Sequence, residues 1–243
     1  MKMKAVIGLL LVLLTDVPSY GKIVEISSLS EVSDYPRVVL FKDASARSSQ
    51  LYDKLVKESN KNKSVVTYVI NYDEMSDRDR ATAYEWGAMR SYIYIKPHWW
   101  GTAYVYNDDF NISAIDDLIK NVAEMNVAID MFQDGEVKKA QKKFIKIFET
   151  EEGFIPEAAH YAGLCFEKQS KYDEACNCFL AAAQFGYAEA FFKMGYYYES
   201  GLTSAGRRME SAYMYYCKAA RLGHEQAILC KARLEQSSEY NKF

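Results

Sequence analysis

The first half of the chain alternates between short apolar runs and longer stretches with helical spacing. The short runs, rich in β-branched and aromatic residues, lie at residues 23–26, 38–41, 65–70, 91–95 and 103–106. Stretches with helical spacing lie at residues 49–59 and 76–86, and another begins near residue 111 or 113. These patterns predict strands and helices respectively. Because two buried strands flank the first helix, a parallel βαβ unit is the economical interpretation, and the order from Val38 onward is βαβαββα.

From about residue 123 onward the spacing is helical and the sequence repeats itself. Residues 175–185 align with residues 212–222, at a spacing of 37 (212 minus 175). In the preceding helices, Ala158, Gly163 and Phe166 match Ala190, Gly195 and Tyr198. Periods of this length are typical of helical-repeat arrays. We therefore predict an α-helical solenoid, with small residues letting paired helices approach and aromatic residues filling the space between them. The helix that starts near residue 113 is expected to run on to Met131 and to serve both halves.

The order of elements in the first half, and several of its residues, resemble the thioredoxin-like fold. Phe41-Lys42-Asp43-Ala44-Ser45 looks like the central strand entering the active-site loop, and residues 46–49 follow where that family places its CxxC motif. The two cysteine positions are Ala46 and Ser49 here, or Ser45 and Ser48 in the neighbouring register. The family's cis-proline is also missing, with Arg90 nearest to its expected position. The resemblance implies a thioredoxin-like domain without redox chemistry and without the usual substrate groove.

The second half resembles Sel1-type and TPR repeats. Residues 212–223 place aromatic residues, a lysine and paired alanines before a glycine, as the Sel1 repeat does, and the longer loop at residues 198–209 also fits that family. The resemblance implies a scaffold that binds a protein or peptide on its concave face. The predicted organisation is a signal peptide at residues 1–21, a redox-inactive thioredoxin-like domain at 22–124, Sel1/TPR-like repeats at 125–236 and a C-terminal tail at 237–243.

The N-terminus has the pattern of a secretory signal. Lys2 and Lys4 precede an apolar run at residues 5–14, and the small residues Ser19 and Gly21 follow it. This pattern predicts cleavage after Gly21 and a periplasmic, lumenal or secreted product without stable membrane insertion. A retained anchor or a buried first strand is the alternative interpretation.

Helical geometry predicts which repeat side chains face away from the packing stripe and are free to bind a partner. These residues are His160, Tyr161, Leu164, Phe192, Lys193 and Tyr196. The alternative is that some of them pack on a neighbouring element. Trp99 and Trp100, in the predicted hairpin turn, form a second candidate contact site, unless they fold back onto the sheet or the repeats.

All five cysteines lie in the repeats. Two disulfides fit the helix-turn-helix spacing, Cys165–Cys176 and Cys217–Cys230, and free core thiols are the alternative. An odd number leaves at least one thiol unpaired in a monomer. Cys176 and Cys178 form a CxC sequence, but residues two apart on a helix are about 200° apart and do not share one metal ion.

Composition narrows the class of function. The formal charge is −3 and no dense run of Lys or Arg occurs, so nucleic acid is not an expected partner. The sequence lacks GxSxG, P-loop, HExxH and GxGxxG motifs, so we expect no catalytic residues, metal or cofactor. The leading hypothesis is a non-catalytic, exported adaptor or scaffold for a protein or peptide. A thiol-dependent chaperone resembling disulfide isomerases is the alternative, a host-directed secretion factor is a weaker one, and the oligomeric state stays open.

Overall fold

The computed structural model describes residues 22–32, 37–62, 65–85, 93–96, 104–106, 110–151 and 155–236. The predicted signal peptide, the C-terminal tail, Arg90 and the pair Trp99 and Trp100 lie outside the described residues.

The first half contains a five-stranded mixed sheet. Its strands are β1 (Lys22–Ile26), β2 (Arg37–Lys42), β3 (Val66–Asn71), β4 (Ile93–Lys96) and β5 (Tyr104–Tyr106). The spatial order is β1-β3-β2-β4-β5; β1 and β2 run parallel to β3, whereas β4 pairs antiparallel with β2 and with β5. Helices α1 (Ala46–Lys61), α2 (Asp77–Glu85) and α3 (Ile115–Gln133) complete this half. The predicted order βαβαββα from Val38 onward, the parallel βαβ unit and the antiparallel hairpin are confirmed.

Serine side chains fix where two helical segments begin. Ser28 and Glu31 form a capping box around the short 3-10 helix at Leu29–Glu31. Ser45 caps α1, because its hydroxyl accepts a hydrogen bond from the Ser48 backbone N–H at 3.1 Å. This cap explains why α1 starts earlier than the apolar spacing predicts. The buried leucines Leu51 and Leu55 of α1 then pack in the same core as the β2 residues.

Helix α3 joins the sheet to the helical half. It packs on α1 and β2 on one side and on α4 and α5 on the other. One core cluster runs from Val38 and Leu40 in the sheet, through Leu118 and Met125 of α3, to Phe144 in the next helix. The prediction that one helix serves both halves is confirmed, and the two halves share a continuous apolar core.

The second half is entirely helical in its described residues. Its helices are α4 (Val137–Phe148), α5 (Pro156–Glu167), α6 (Tyr172–Ala183), α7 (Ala188–Ser200), α8 (Met209–Arg221) and α9 (Glu225–Glu235). Each helix packs mainly on the next one along the chain, as in a solenoid. None of the described helices combines the length and apolar content needed to cross a membrane.

Two glycines explain the repeated pattern of small and aromatic residues. A Cβ atom on Gly163 would lie 2.5 Å from Cε1 of Phe179, and one on Gly195 would lie 2.7 Å from Cδ1 of Tyr216. Gly163 aligns with Gly195, and Phe179 aligns with Tyr216, in the sequence repeat. The same contact, an aromatic ring seated on a helical glycine, is therefore made twice, as the repeat alignment predicts.

Candidate binding cavity in the helical repeats

A cavity of about 490 Å³ opens between α3, α5 and α7. The last two residues of α3, Phe132 and Gln133, form one of its walls. Its lining residues are Phe132, Gln133, His160, Tyr161, Leu164, Tyr187, Glu189 and Lys193. This size and a lining dominated by aromatic side chains are typical of sites that bind small molecules or individual side chains.

Helical spacing brings the polar and apolar lining residues together. On α5, which begins with Pro156 at its first turn, Tyr161 directly follows His160, and Leu164 follows His160 by four residues, so all three point to one side. On α7, Glu189 and Lys193 are also four residues apart. Tyr187 is the N-cap of α7 and also lines the cavity.

Aromatic rings form the floor of the cavity. The ring of His160 lies 4.8 Å from that of Tyr187 and 5.9 Å from that of Tyr161, between ring centroids. Tyr161 stacks on Phe144 at 5.0 Å and meets Phe132 edge to face at 6.0 Å. His160, Tyr161 and Tyr187 are each at most 6 % exposed, so the floor is rigidly packed.

The charged groups that line the cavity are paired. Lys193 Nζ lies 3.1 Å from Glu167 Oε2, and Glu189 Oε2 lies 2.6 Å from Nε2 of His224. Below them, the Tyr187 hydroxyl donates to Oε1 of the buried Glu157 at 3.2 Å. A charged ligand would have to compete with these pairs, whereas an uncharged group would not.

Burial keeps the floor neutral at physiological pH. Burial, together with the smaller effect of the nearby charge of Lys193, lowers the pKa of His160 to about 3. Burial also raises the pKa of Tyr161 and that of Tyr187 above their ordinary value, so both hydroxyls keep their protons. The cavity floor therefore consists of uncharged groups that can donate or accept hydrogen bonds.

The structure divides the six side chains predicted to face away from the packing. His160, Tyr161, Leu164 and Lys193 line the cavity. His160 and Tyr161 are buried, however, so their predicted exposure is wrong. The physical reason is that a solenoid helix packs on two neighbours, and the helical wheel considered only one.

Phe192 and Tyr196 lie away from the cavity lining. Phe192 is half-buried and stacks on His224, with ring centroids 4.5 Å apart and an angle of 16°. Its predicted outward orientation is wrong, because the ring packs between α8 and the start of α9. Tyr196 is 46 % exposed, as its position on α7 predicts.

Four lining residues were not among the predicted ones: Phe132, Gln133, Tyr187 and Glu189. Phe132 and Gln133 come from the end of α3, whose position over the repeats is a tertiary feature. Tyr187 precedes α7 and is its N-cap. Glu189 could have been found, since it lies four residues before Lys193 on the same helix face.

The degenerate redox loop serves as a helix start. Ala46 is the first residue of α1 and Ser49 is exposed. Ser48 is buried, and its hydroxyl accepts from the Asp43 backbone N–H at 3.0 Å. The serines thus satisfy backbone donors at the place where the resemblance puts a reactive thiol.

The five cysteines are unbridged in the structure. Cys165 is buried in the main core beside Cys178, whereas Cys176 belongs to the cluster that contains Phe179 and Tyr197. Cys176 and Cys178 point to different clusters because they are two residues apart on α6. The packing therefore does not favour the predicted Cys165–Cys176 bridge. Cys217 and Cys230 are likewise unbridged, and both are half-buried.

A second cavity, of about 480 Å³, lies at the carboxyl ends of the parallel strands. Its lining includes Glu25, Asp43, Asp73 and Glu74, together with Lys42. Within the ranges that the structure describes, no group of three His, Cys, Asp or Glu side chains is placed to hold a metal ion. We assign no binding role to this acidic cavity.

No protein-family model matches the chain, and a search of curated proteins finds no significant relative.

Proposed function

We propose that this chain is an exported, non-catalytic adaptor that captures a protein or peptide partner on its helical repeats. The observation that carries the proposal is the open, aromatic-lined cavity between α3, α5 and α7. Tyrosines supply both apolar area and a polar tip, which suits recognition of another polypeptide. The rigid floor favours this role further, because a preorganised site loses little entropy when a partner binds.

We also propose that the sheet half is a thioredoxin-like domain and that the helical half consists of Sel1/TPR-like repeats. In support, the central strand β2 leads directly into α1, as that resemblance implies. The glycine–aromatic contacts of Gly163 and Gly195 support the second assignment, because they recur at equivalent positions. In this view the sheet half acts as the N-terminal cap of the solenoid through α3.

The thiol-dependent alternative receives no support from the thiol environments. Burial raises the pKa of Cys165 to about 12 and that of Cys176 and Cys178 to about 11. A thiol must be deprotonated to act as a nucleophile, so these three are poorly suited to exchange chemistry near neutral pH. Reduction of insulin by the purified protein would favour this alternative over the adaptor.

Affinity capture with a matched pair of leucine variants tests the adaptor proposal. Leu164→Arg places a long charged side chain in the cavity, whereas Leu180→Arg makes the same change at a leucine that is 44 % exposed on α6, away from the lining. Wild type and L180R should retain the same partner from an extract of the exporting compartment, and L164R should lose it. Thermal melting of all three proteins shows whether L164R is folded. Equal capture by a folded L164R would contradict the proposal.

A further inference from the structure

Two successive repeats build the same three-residue cluster. In the first repeat, the Tyr187 hydroxyl contacts Glu157 at 3.2 Å, and the rings of Tyr187 and His160 are 4.8 Å apart. In the second, His224 contacts Glu189 at 2.6 Å and its ring lies 4.5 Å from that of Phe192. Glu157 and Glu189 are at equivalent positions, as are His160 and Phe192, and Tyr187 and His224. Both repeats therefore contain a contact with a glutamate and a pair of aromatic rings. In the first repeat the histidine, His160, is on α5 with the glutamate, whereas in the second the histidine, His224, is the residue that contacts the glutamate.

The two histidines differ in how their nitrogens are satisfied. Nδ1 of His224 accepts from the Ala227 backbone N–H at 3.2 Å, so Nε2 carries the proton that is shared with Glu189. In the first repeat, Nδ1 of His160 is buried and has no hydrogen-bond partner within the described part of the chain. The residue as a whole is 6 % exposed.

The second repeat shows that packing alone does not require histidine at position 160. Phe192 fills the equivalent position with carbon atoms only and makes the same ring contact. Burying an unpartnered polar nitrogen is unfavourable, and a phenylalanine at 160 would avoid that cost. Packing within the fold therefore does not account for the imidazole at position 160. The imidazole lies on the floor of the cavity, which places its role in what the cavity binds.

The surroundings of His160 define what kind of group it meets. Aromatic side chains line the cavity around it, with Phe132, Tyr161 and Tyr187 among them. Both charged lining residues, Lys193 and Glu189, already have partners. These features favour a flat, uncharged group with one polar atom over a carboxylate, phosphate or ammonium group.

We propose that the cavity receives a tyrosine or tryptophan side chain of the partner and that the imidazole of His160 hydrogen-bonds its hydroxyl or indole N–H. This inference rests on the proposed adaptor function and names the partner's anchoring chemistry. The aromatic ring fills the space above the cavity floor, and the polar atom meets the only ring nitrogens among the lining residues. A phenylalanine side chain would fill the same space but leave His160 unpartnered.

Uncharged amino-acid amides test this proposal on the purified full-length protein. N-acetyl-tyrosinamide, N-acetyl-tryptophanamide and N-acetyl-phenylalaninamide are titrated separately, and binding is followed by NMR shifts of the cavity residues. Wild type should bind the tyrosine and tryptophan amides about fivefold more tightly than the phenylalanine amide, which is the size expected for one hydrogen bond. The variant His160→Phe should lose this preference. His160→Gln, which keeps a donor and an acceptor, should retain part of it.

Equal binding of the three amides to wild type would overturn the inference, and this comparison does not depend on how any variant folds. An undiminished preference in H160F, or shifts located away from the cavity, would overturn it as well. Capture of a partner without any amide preference would reject the aromatic anchor and leave the adaptor function standing. A clear amide preference with no captured protein would instead reject the adaptor function and indicate a site for a small aromatic molecule.

Discussion

Replacing His160 with phenylalanine should make the protein less sensitive to mild acid. Burial, and then the charge of Lys193, lower the pKa of His160 from 6.5 to about 3 in the folded protein. In the unfolded chain the pKa returns to about 6.5. Between these two values only the unfolded state binds the proton, so stability is lost as the pH falls from 6.5 towards 3.

The magnitude follows from the linkage between protonation and unfolding. At about pH 5 the unfolded imidazole is almost fully protonated and the folded one is neutral, which lowers the free energy of unfolding by about 2 kcal/mol, against about 0.2 kcal/mol at pH 7. This result holds for any folded pKa well below 5. H160F has no imidazole and therefore does not lose this stability at low pH. Phe192 shows that a phenylalanine ring fits the equivalent position of the next repeat. The stability of H160F relative to wild type should therefore rise by about 2 kcal/mol over this interval.

Urea unfolding of both proteins at about pH 7 and about pH 5, followed by circular dichroism, measures this difference directly. All other titrating groups are common to the two proteins, so their contributions cancel in the comparison. Unchanged m-values show that the variant unfolds as the wild type does. A stability difference that stays constant with pH, within about 0.5 kcal/mol, would refute the argument that His160 is buried as a neutral, unpartnered group.

Three further predictions concern packing, backbone and thiols. Gly163→Ala should lower the free energy of unfolding by roughly 1–3 kcal/mol, because the new Cβ would meet the ring of Phe179; wild-type stability of the variant in urea would contradict that contact. Ser170→Gly should stabilise by roughly 0.5–1 kcal/mol, since Ser170 has a φ of 57° and the corresponding repeat position is Gly135; a lower melting temperature would argue against this. Cys165, whose pKa burial raises to about 12, should react with a thiol reagent at least about tenfold more slowly in native than in urea-unfolded protein, and equal rates would show that it is accessible.

The sequence predicted the order of elements well because each element carries its own periodicity. The β2–α1–β3 unit and the continuation of α3 to Met131 follow from apolar spacing alone. The repeat alignment also predicted that Gly163 and Gly195 would permit close approach of aromatic rings. These are local or self-similar features, which one sequence is able to reveal.

The cavity could be predicted only in part, because it depends on how three helices meet. A single helical wheel placed Phe192 outward, although the ring packs against His224 of the next repeat. It also missed Phe132, whose position depends on α3 reaching over the repeats. The unpartnered Nδ1 of His160 could not be predicted from the sequence either, because only the packed structure shows that this nitrogen lacks a hydrogen-bond partner.

The central claim is that a protein partner binds in the cavity between α3, α5 and α7. The most direct test is calorimetric titration of the purified partner into wild type, L164R and L180R, all confirmed as folded. We predict that L164R weakens binding at least about tenfold, as expected for a buried anchor site, whereas L180R changes it by less than about twofold. Equal affinities for all three proteins would place the partner elsewhere and contradict this account.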